Sequence, residues 1–204
     1  MKKRCMGLMT AGALAATALL ATPASATLGR GAKAPDFTAE ASLAGKDLGF
    51  SLHDALKKGP VVVYFYPAAY TGGCDIEAHT FAMQKAKFDA AGATIIGVSA
   101  DSIQRLDAFS SDPNYCAGKF PVASDADGRI AASYGLELHP AEPGTTDVRG
   151  QAIDHGFIPR TTFVIGHDGR IIATLSSEAD HLHPEDHVRQ SLAIVQHLQK
   201  SAAP

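Results

Sequence analysis

Apolar and polar positions along the chain predict an alternation of strands and helices. A continuous apolar, β-branched and aromatic run at 61–66 is typical of a strand covered on both faces, and 94–98 predicts a second such strand. Between them, apolar residues recur at helical spacing over 73–91, and Gly92 fits the stop of that helix. Strand, helix and strand with short connections form a βαβ unit, so the two strands are expected to be parallel.

The remaining pattern is expected to complete one α/β domain. Further strands are predicted at 35–37, 49–52, 121–123, 161–165 and 170–175. Further helical segments are predicted at 53–58, 102–109, 129–134 and from Pro184 onward. The last two strands flank His167-Asp168-Gly169, which indicates a β-hairpin. Proline and glycine residues between 139 and 156 predict an exposed loop.

The N-terminal segment has the pattern of a secretory signal. Lys2-Lys3-Arg4 precede a stretch of small and apolar residues, and Ala24-Ser25-Ala26 fits the small-residue rule for cleavage. The alternative is a membrane anchor, but the apolar stretch is shorter than the ~20 residues that a spanning helix needs. We therefore expect residues 1–26 to be removed, and Cys5 with them. Residues 27–204 would then form one exported, periplasmic domain.

The net charge of the chain argues against some classes of binding partner. Removal of the signal takes three of the 18 basic residues and none of the 21 acidic ones, which leaves a net charge of −6. A mildly acidic chain without a basic cluster argues against nucleic acid or an anionic membrane as a partner. The mature chain would keep two cysteines, Cys74 and Cys116, in an oxidising setting where a disulfide between them can form.

Cys74 lies where the strand at 61–66 has ended and the next helix begins, directly after Gly72-Gly73. A thiol at a helix N-terminus faces unpaired backbone N–H groups and the positive end of the helix dipole. Both favour the thiolate, which is the reactive form, so we expect a lowered pKa. A drop from ~8.5 to ~6 would raise the rate only about twofold, because a more acidic thiol is also a weaker nucleophile. Positioned groups that stabilise charge must therefore supply most of the reactivity.

The residues around Cys74 resemble the peroxiredoxin signature. Pro67, Thr71 and Cys74 have the spacing Pro-x-x-x-Thr-x-x-Cys after an apolar strand, and the strand at 158–165 matches the family's later arginine strand, with Arg160. Nearly all of the mature chain takes part, and it most resembles the bacterioferritin-comigratory-protein subgroup. The resemblance implies a thioredoxin-like α/β fold with a central mixed sheet flanked by helices. It also implies reduction of hydrogen peroxide or organic hydroperoxides through a cysteine sulfenic acid.

Each residue of the signature is expected to take one part in that chemistry. The Cys74 thiolate attacks one peroxide oxygen and becomes a sulfenic acid. Arg160 holds the thiolate and the developing oxyanion, unless it is a surface charge on its strand. Thr71 offers a hydroxyl to the reacting atoms or only caps the helix, and Pro67 walls the pocket from water. The resemblance implies that Glu77 pairs with Arg160; a solvated helix position is the alternative.

Cys116 is the remaining candidate for a resolving thiol. In the subgroup, one common resolving position is five residues after the peroxidatic cysteine, and that position is His79 here. A second pattern in the subgroup has its resolving cysteine in the region of Cys116. The resemblance thus implies a transient Cys74–Cys116 disulfide, formed in a monomer or a homodimer and re-reduced by a thioredoxin-like or other thiol donor. A permanent disulfide that stabilises the fold by roughly 4 kcal/mol is the alternative.

Other functions would use some of the same residues. A periplasmic disulfide oxidoreductase of this fold needs Cys-x-x-Cys, and position 77 is Glu. A metallochaperone-like binding protein of this fold would need Cys-x-x-x-Cys and a distant histidine, and position 78 is Ala. His181, His183 and His187 could bind a metal, but their positions are more typical of a solvated loop and helix start. A non-catalytic binding module is a third class. The resemblance implies no metal, haem or flavin cofactor.

Overall fold

In the computed structural model, which describes residues 26–202, seven strands and five helices alternate along the chain. The strands are β1 (Thr38–Leu43), β2 (Lys46–Ser51), β3 (Val61–Phe65), β4 (Thr94–Ser99), β5 (Val122–Ser124), β6 (Thr161–Ile165) and β7 (Ile171–Ser176). The helices are α1 (Leu52–Leu56), α2 (Gly72–Ala90), α3 (Ile103–Ser111), α4 (Arg129–Ser133) and α5 (Pro184–Ala202). The predicted signal segment lies outside the described residues, except for Ala26.

The strands form one mixed sheet in the order β2-β1-β5-β4-β3-β6-β7. Strands β3, β4 and β5 are mutually parallel, and the other neighbours are antiparallel. The β3–α2–β4 unit is therefore parallel, as its pattern predicted. The hairpin β6–β7 around Asp168 is also present. Within residues 26–202, no helix has the length and apolarity needed to cross a membrane.

Helices cover both faces of the sheet, which explains why β3 is apolar throughout. Alternate side chains of a strand point to opposite faces. Val63 and Phe65 pack in a core with residues of α1 and α4, whereas Val62 and Tyr64 pack in a second core with residues of α2, α3 and α5. All five residues of β3 are buried as a result. The second core carries both cysteines of the described chain.

Predicted and observed bounds differ by up to three residues in most elements, and two predictions differ in kind. Residues 35–37 are not a strand, because β1 begins only at Thr38 and forms a hairpin with β2. The sequence of β1 has one β-branched residue, Thr38, and no aromatic one, in contrast to β3, so its pattern was not evident. The strand predicted at 121–123 is shifted by one residue. The 139–156 segment is not simply exposed, since Asp147 and Ile153 are buried within it.

Candidate active site

The site lies at the carboxyl end of β3, where the chain turns into α2. Thr71 is the N-cap of α2 and has extended backbone angles, with φ −123° and ψ 142°. Cys74 follows in the first turn of the helix and is only 2% exposed. The position at the helix N-terminus is thus the one predicted, but the thiol is buried among apolar side chains.

The pairing of β3 with β6 brings the arginine to this end of the sheet. Phe65, the last residue of β3, pairs with Thr161, so the preceding Arg160 lies beside the turn that leads into α2. Its Nη2 donates to Cys74 Sγ at 3.2 Å, and its Nη1 donates to Glu77 Oε2. The planar guanidinium therefore bridges the thiol and the carboxylate, which a lysine with its single nitrogen would not do in the same geometry.

Gly73 is needed for this approach. A methyl group at position 73 would lie 3.1 Å from Arg160 Nη2, which is tighter than ordinary van der Waals contact. At the neighbouring Gly72, a methyl group would meet nothing within 4 Å. The second glycine of the pair thus gives the guanidinium access to the start of the helix.

Burial and charge act on the Cys74 thiol in opposite directions. Burial is the largest influence and raises the pKa of Cys74, while the Arg160 guanidinium and the Thr71 hydroxyl pull that pKa down. The net direction is upward, so the lowered pKa expected from the helix N-terminus is wrong. The helix N-terminus and one guanidinium do not offset the burial of the sulfur away from water.

Glu77 and Arg160 are a buried pair rather than solvated side chains. The Glu77 side chain is fully buried and that of Arg160 is 11% exposed. Burial raises the pKa of Glu77 to about 7 against the pull of Arg160, and the two acidic neighbours raise the pKa of Arg160 despite its burial. Because the guanidinium stays charged, it presents a fixed positive charge to the sulfur.

Thr71 and Pro67 complete the turn. The Thr71 side chain does not cap the helix; its hydroxyl donates instead to the Ala68 carbonyl at 2.8 Å. The hydroxyl oxygen therefore keeps lone pairs that can accept from the S–H of the neutral thiol or from the O–H of a ligand beside it. Pro67 is half-buried two residues past the end of β3. The structure brings Cys74, Arg160, Glu77 and Thr71 together, with Pro67 in the same turn.

Cys116 lies in the irregular segment after α3 and is fully buried. It shares an apolar core with Cys74, and both are free thiols in this structure. Burial raises the pKa of Cys116 well above its usual value, and the nearby Asp75 and Asp112 raise it further. His79 contacts the same segment through a 3.0 Å hydrogen bond between its Nδ1 and the Asn114 carbonyl.

Sequence reasoning missed two charged residues that hold the turn before Cys74. Asp101 Oδ2 accepts from the backbone N–H of Ala69 at 2.8 Å, and Arg105 Nη2 donates to the Ala69 carbonyl at 3.0 Å. Asp101 follows β4, which is parallel to β3, and polar residues at the carboxyl ends of adjacent parallel strands meet at one edge of a sheet. That position was the available signal.

The histidines do not form a metal site in the part of the chain that the structure describes. No group of three or more His, Cys, Asp or Glu residues between 26 and 202 is arranged to hold a metal ion. His187 is buried and forms 3.0 Å hydrogen bonds with the hydroxyls of Thr162 and Ser177. Burial and the nearby Arg160 lower the pKa of His187 to about 4, so it is neutral at physiological pH.

Known proteins share both the sequence and the fold. A peroxiredoxin of Mycobacterium tuberculosis is 34% identical over 123 residues, which are 60% of this chain and 71% of the relative. The crystal structure of peroxidoxin BcpB from the same organism superposes with a TM-score of 0.67 at 27% identity, over 84% of this chain and 98% of that one. The bacterioferritin comigratory protein of Xanthomonas campestris gives a TM-score of 0.60 at 26% identity, over 78% of this chain and 91% of that one.

These relatives confirm the thioredoxin-like fold that the sequence resemblance implied, and with it the peroxidase class. Residues 30–174, which include Cys74, Cys116 and Arg160, match the family described as AhpC/TSA. The chain therefore belongs to the AhpC/TSA family and is a thiol-dependent peroxidase of the peroxiredoxin type.

Proposed function

We propose that this peroxiredoxin reduces hydrogen peroxide or organic hydroperoxides at Cys74. The observation that carries the proposal is the 3.2 Å hydrogen bond from Arg160 Nη2 to the buried Cys74 Sγ. The sulfur attacks one peroxide oxygen, the O–O bond breaks, and the second oxygen leaves with a proton as water or an alcohol. Cys74 becomes a sulfenic acid.

The surrounding residues support charge separation in that step. Negative charge moves from sulfur to the leaving oxygen, and Arg160 lies where it can stay close to both. Glu77 holds the other side of the guanidinium and so fixes its plane. Thr71 offers a hydroxyl at the N-cap, and Pro67, which has no N–H, contributes to the wall of the turn.

Cys116 is the proposed resolving thiol. Its sulfur attacks the Cys74 sulfenic acid, an S–S bond forms, and the hydroxyl leaves as water with the proton of the Cys116 thiol. An external dithiol of the thioredoxin type then reduces the disulfide and restores both thiols. Two free, buried thiols in one apolar core support this pairing, whether it forms within a monomer or across a homodimer. The Xanthomonas relative has alkyl peroxide reduction activity, which supports organic hydroperoxides as substrates here.

Export to the periplasm is part of the proposal and rests on the pattern of residues 1–26. Cytosolic reductants do not reach that compartment, so the thiol donor would itself be exported. Cell fractionation with N-terminal sequencing of the mature chain tests this point. Recovery of the chain from the cytosol with Met1 still present would contradict export.

Three proteins and two measurements test the catalytic proposal. We expect the wild type to consume peroxide with a thiol donor and Cys74→Ser to consume none. Cys116→Ser should react once, without donor-driven turnover. Mass spectrometry after one equivalent of peroxide should show a loss of two hydrogens in the wild type and a gain of one oxygen in Cys116→Ser. Peroxide consumption by Cys74→Ser at the wild-type rate would overturn the proposal.

A further inference from the structure

The 139–156 segment folds back onto the turn that carries the active-site cysteine. The Val148 backbone N–H donates to the Tyr70 carbonyl at 2.9 Å, four residues before Cys74. The Arg149 guanidinium lies over the Tyr70 ring, with its Cζ 3.2 Å from the ring centroid. A segment distant in the chain therefore covers one side of the turn.

An ion-pair network anchors this segment to the rest of the site. Asp147 is buried and accepts from Arg105 and from Arg149, each at 2.8 Å. Arg105 also donates to the Ala69 carbonyl at 3.0 Å. We call Arg105, Asp147 and Arg149 the clamp, because together they hold Ala69 and Tyr70 from two sides.

Tyr70 links the clamp to both cysteines. Its ring packs edge-on against Tyr115, the residue before Cys116, with centroids 5.2 Å apart. Its backbone is in the left-handed region, with φ 60°, although it is not glycine. Such a conformation is unfavourable for a bulky residue and persists only where its surroundings enforce it. A turn held in this state relaxes when the contacts that hold it are removed.

A disulfide between the two cysteines requires this arrangement to change. The S–S bond is ~2.05 Å long, but both thiols are free here, and Cys74 Sγ accepts a hydrogen bond from Arg160. Cys74 must therefore leave its guanidinium partner. Because Tyr70 belongs to the same turn and packs on the residue before Cys116, we expect its packing to change as well. Contacts that fix Tyr70 in the closed state oppose that rearrangement.

We propose that Arg149 is a positioning residue: by stacking on Tyr70 it keeps the Cys74 turn closed and slows disulfide formation with Cys116. The inference rests on the proposed resolving role of Cys116. While the turn is closed, a second peroxide molecule can oxidise the sulfenic acid to a sulfinic acid and leave as water or an alcohol. Once the turn opens, Cys116 forms the disulfide and water is released. The clamp thus sets the ratio of the two products.

The size of the effect follows from the contact that is removed. The Arg149 side chain is 32% exposed, and a partly exposed stack of a guanidinium on an aromatic ring contributes about 0.5–1 kcal/mol, which corresponds to a factor of about 2 to 5. We expect Arg149→Ala to raise the rate of disulfide formation by about that factor. The peroxide concentration that converts half of Cys74 to sulfinic acid should rise by the same factor.

The experiment titrates reduced protein with peroxide in the absence of a donor, blocks free thiols, and measures disulfide and sulfinic acid by mass spectrometry. Arg149→Lys keeps the charge beside Asp147 but loses the planar stack, so we expect an intermediate shift. The matched control is Arg129→Ala, because Arg129 pairs only with Asp127 in the described chain and its side chain is 85% exposed. This control should follow the wild type.

A background without the resolving thiol separates positioning from general damage to the fold. In Cys116→Ser no internal disulfide forms, so adding Arg149→Ala should leave the sulfinic acid titration unchanged. Equal product ratios in the wild type and Arg149→Ala would overturn the clamp while leaving Cys116 as the resolving thiol. Equal product ratios in the wild type and Cys116→Ser would overturn both proposals. If Arg149→Ala does not fold, the shift in Arg149→Lys decides the question.

Discussion

Replacing Gly73 by alanine tests whether the placement of Arg160 governs the reactivity of Cys74. A methyl group at position 73 would lie 3.1 Å from Arg160 Nη2 and 3.5 Å from Pro184 Cγ. Because unstrained carbon contacts are ~3.5–4.0 Å, the guanidinium must move by a few tenths of an ångström. The guanidinium cannot move freely, since it donates hydrogen bonds to both Glu77 and Cys74. The substitution therefore displaces a positioned donor without removing it.

The expected loss of reaction rate is larger than zero and smaller than the loss that removal of the donor would cause. A displacement of ~1 Å at a reacting centre costs about 100-fold, and loss of one positioned donor costs about 10²–10³-fold. A shift of a few tenths of an ångström should lower the second-order rate constant for peroxide by about 5- to 10-fold. Alanine also favours helix over glycine by roughly 0.5–1 kcal/mol. We therefore expect no loss of thermal stability.

Gly72→Ala is the matched control for this prediction. It changes the same residue type in the same helical turn, but its methyl group would meet nothing within 4 Å. Stopped-flow or competition kinetics of peroxide reduction should show a wild-type rate for Gly72→Ala and a reduced rate for Gly73→Ala. Wild-type rates in both variants would refute the argument that Arg160 placement limits reactivity. An equal loss in both would locate the effect in the helix start as a whole.

Other substitutions and conditions act on the same buried groups. Glu77→Gln removes the negative charge beside Arg160, so the pKa of Cys74 measured by alkylation should fall. The rate of reaction with peroxide should also drop about tenfold, because the guanidinium loses its charged partner. A raised pKa of Cys74 would contradict this reasoning. Because burial raises the pKa of Cys74, the thiolate fraction and the wild-type rate should climb with pH through the neutral range, and a plateau below pH 7 would contradict this. Tyr64→Phe deletes a buried hydroxyl that has no hydrogen-bond partner among the described residues. The free energy of unfolding in urea should therefore stay equal or rise by up to ~1–3 kcal/mol. A clear decrease in that free energy would contradict the reasoning.

The parts of the fold that could be predicted are those with a strong local pattern. Strand β3 is buried on both faces and is apolar at every position, and α2 repeats apolar residues at helical spacing. Strand β1 has no such pattern, because much of its stability comes from pairing with β2 and β5 rather than from its own side chains. The 139–156 segment is rich in proline and glycine, which indicated an exposed loop, so the burial of Asp147 within it was not predicted.

The features of the active site also divide into those that a local pattern predicts and those that depend on distant parts of the chain. Thr71, Cys74 and Pro67 belong to one turn, so their spacing alone indicated where they lie. The raised pKa of Cys74 could not be predicted from the turn, since it results from helices that cover the second core. The contact of Arg149 with Tyr70 joins residues far apart in the chain and depends on how the 139–156 segment folds.

The opposition between burial and charge at Cys74 shows why a buried thiol with a raised pKa can still be reactive. Each unit by which the pKa exceeds the working pH lowers the thiolate fraction about tenfold, but it raises the nucleophilicity of the thiolate about threefold. The net loss is therefore only about threefold per unit. The same burial excludes water from Arg160, where a positioned donor contributes about 10²–10³-fold in a low-dielectric site. A substitution that admits water should thus lower the pKa of Cys74 and yet slow its reaction with peroxide.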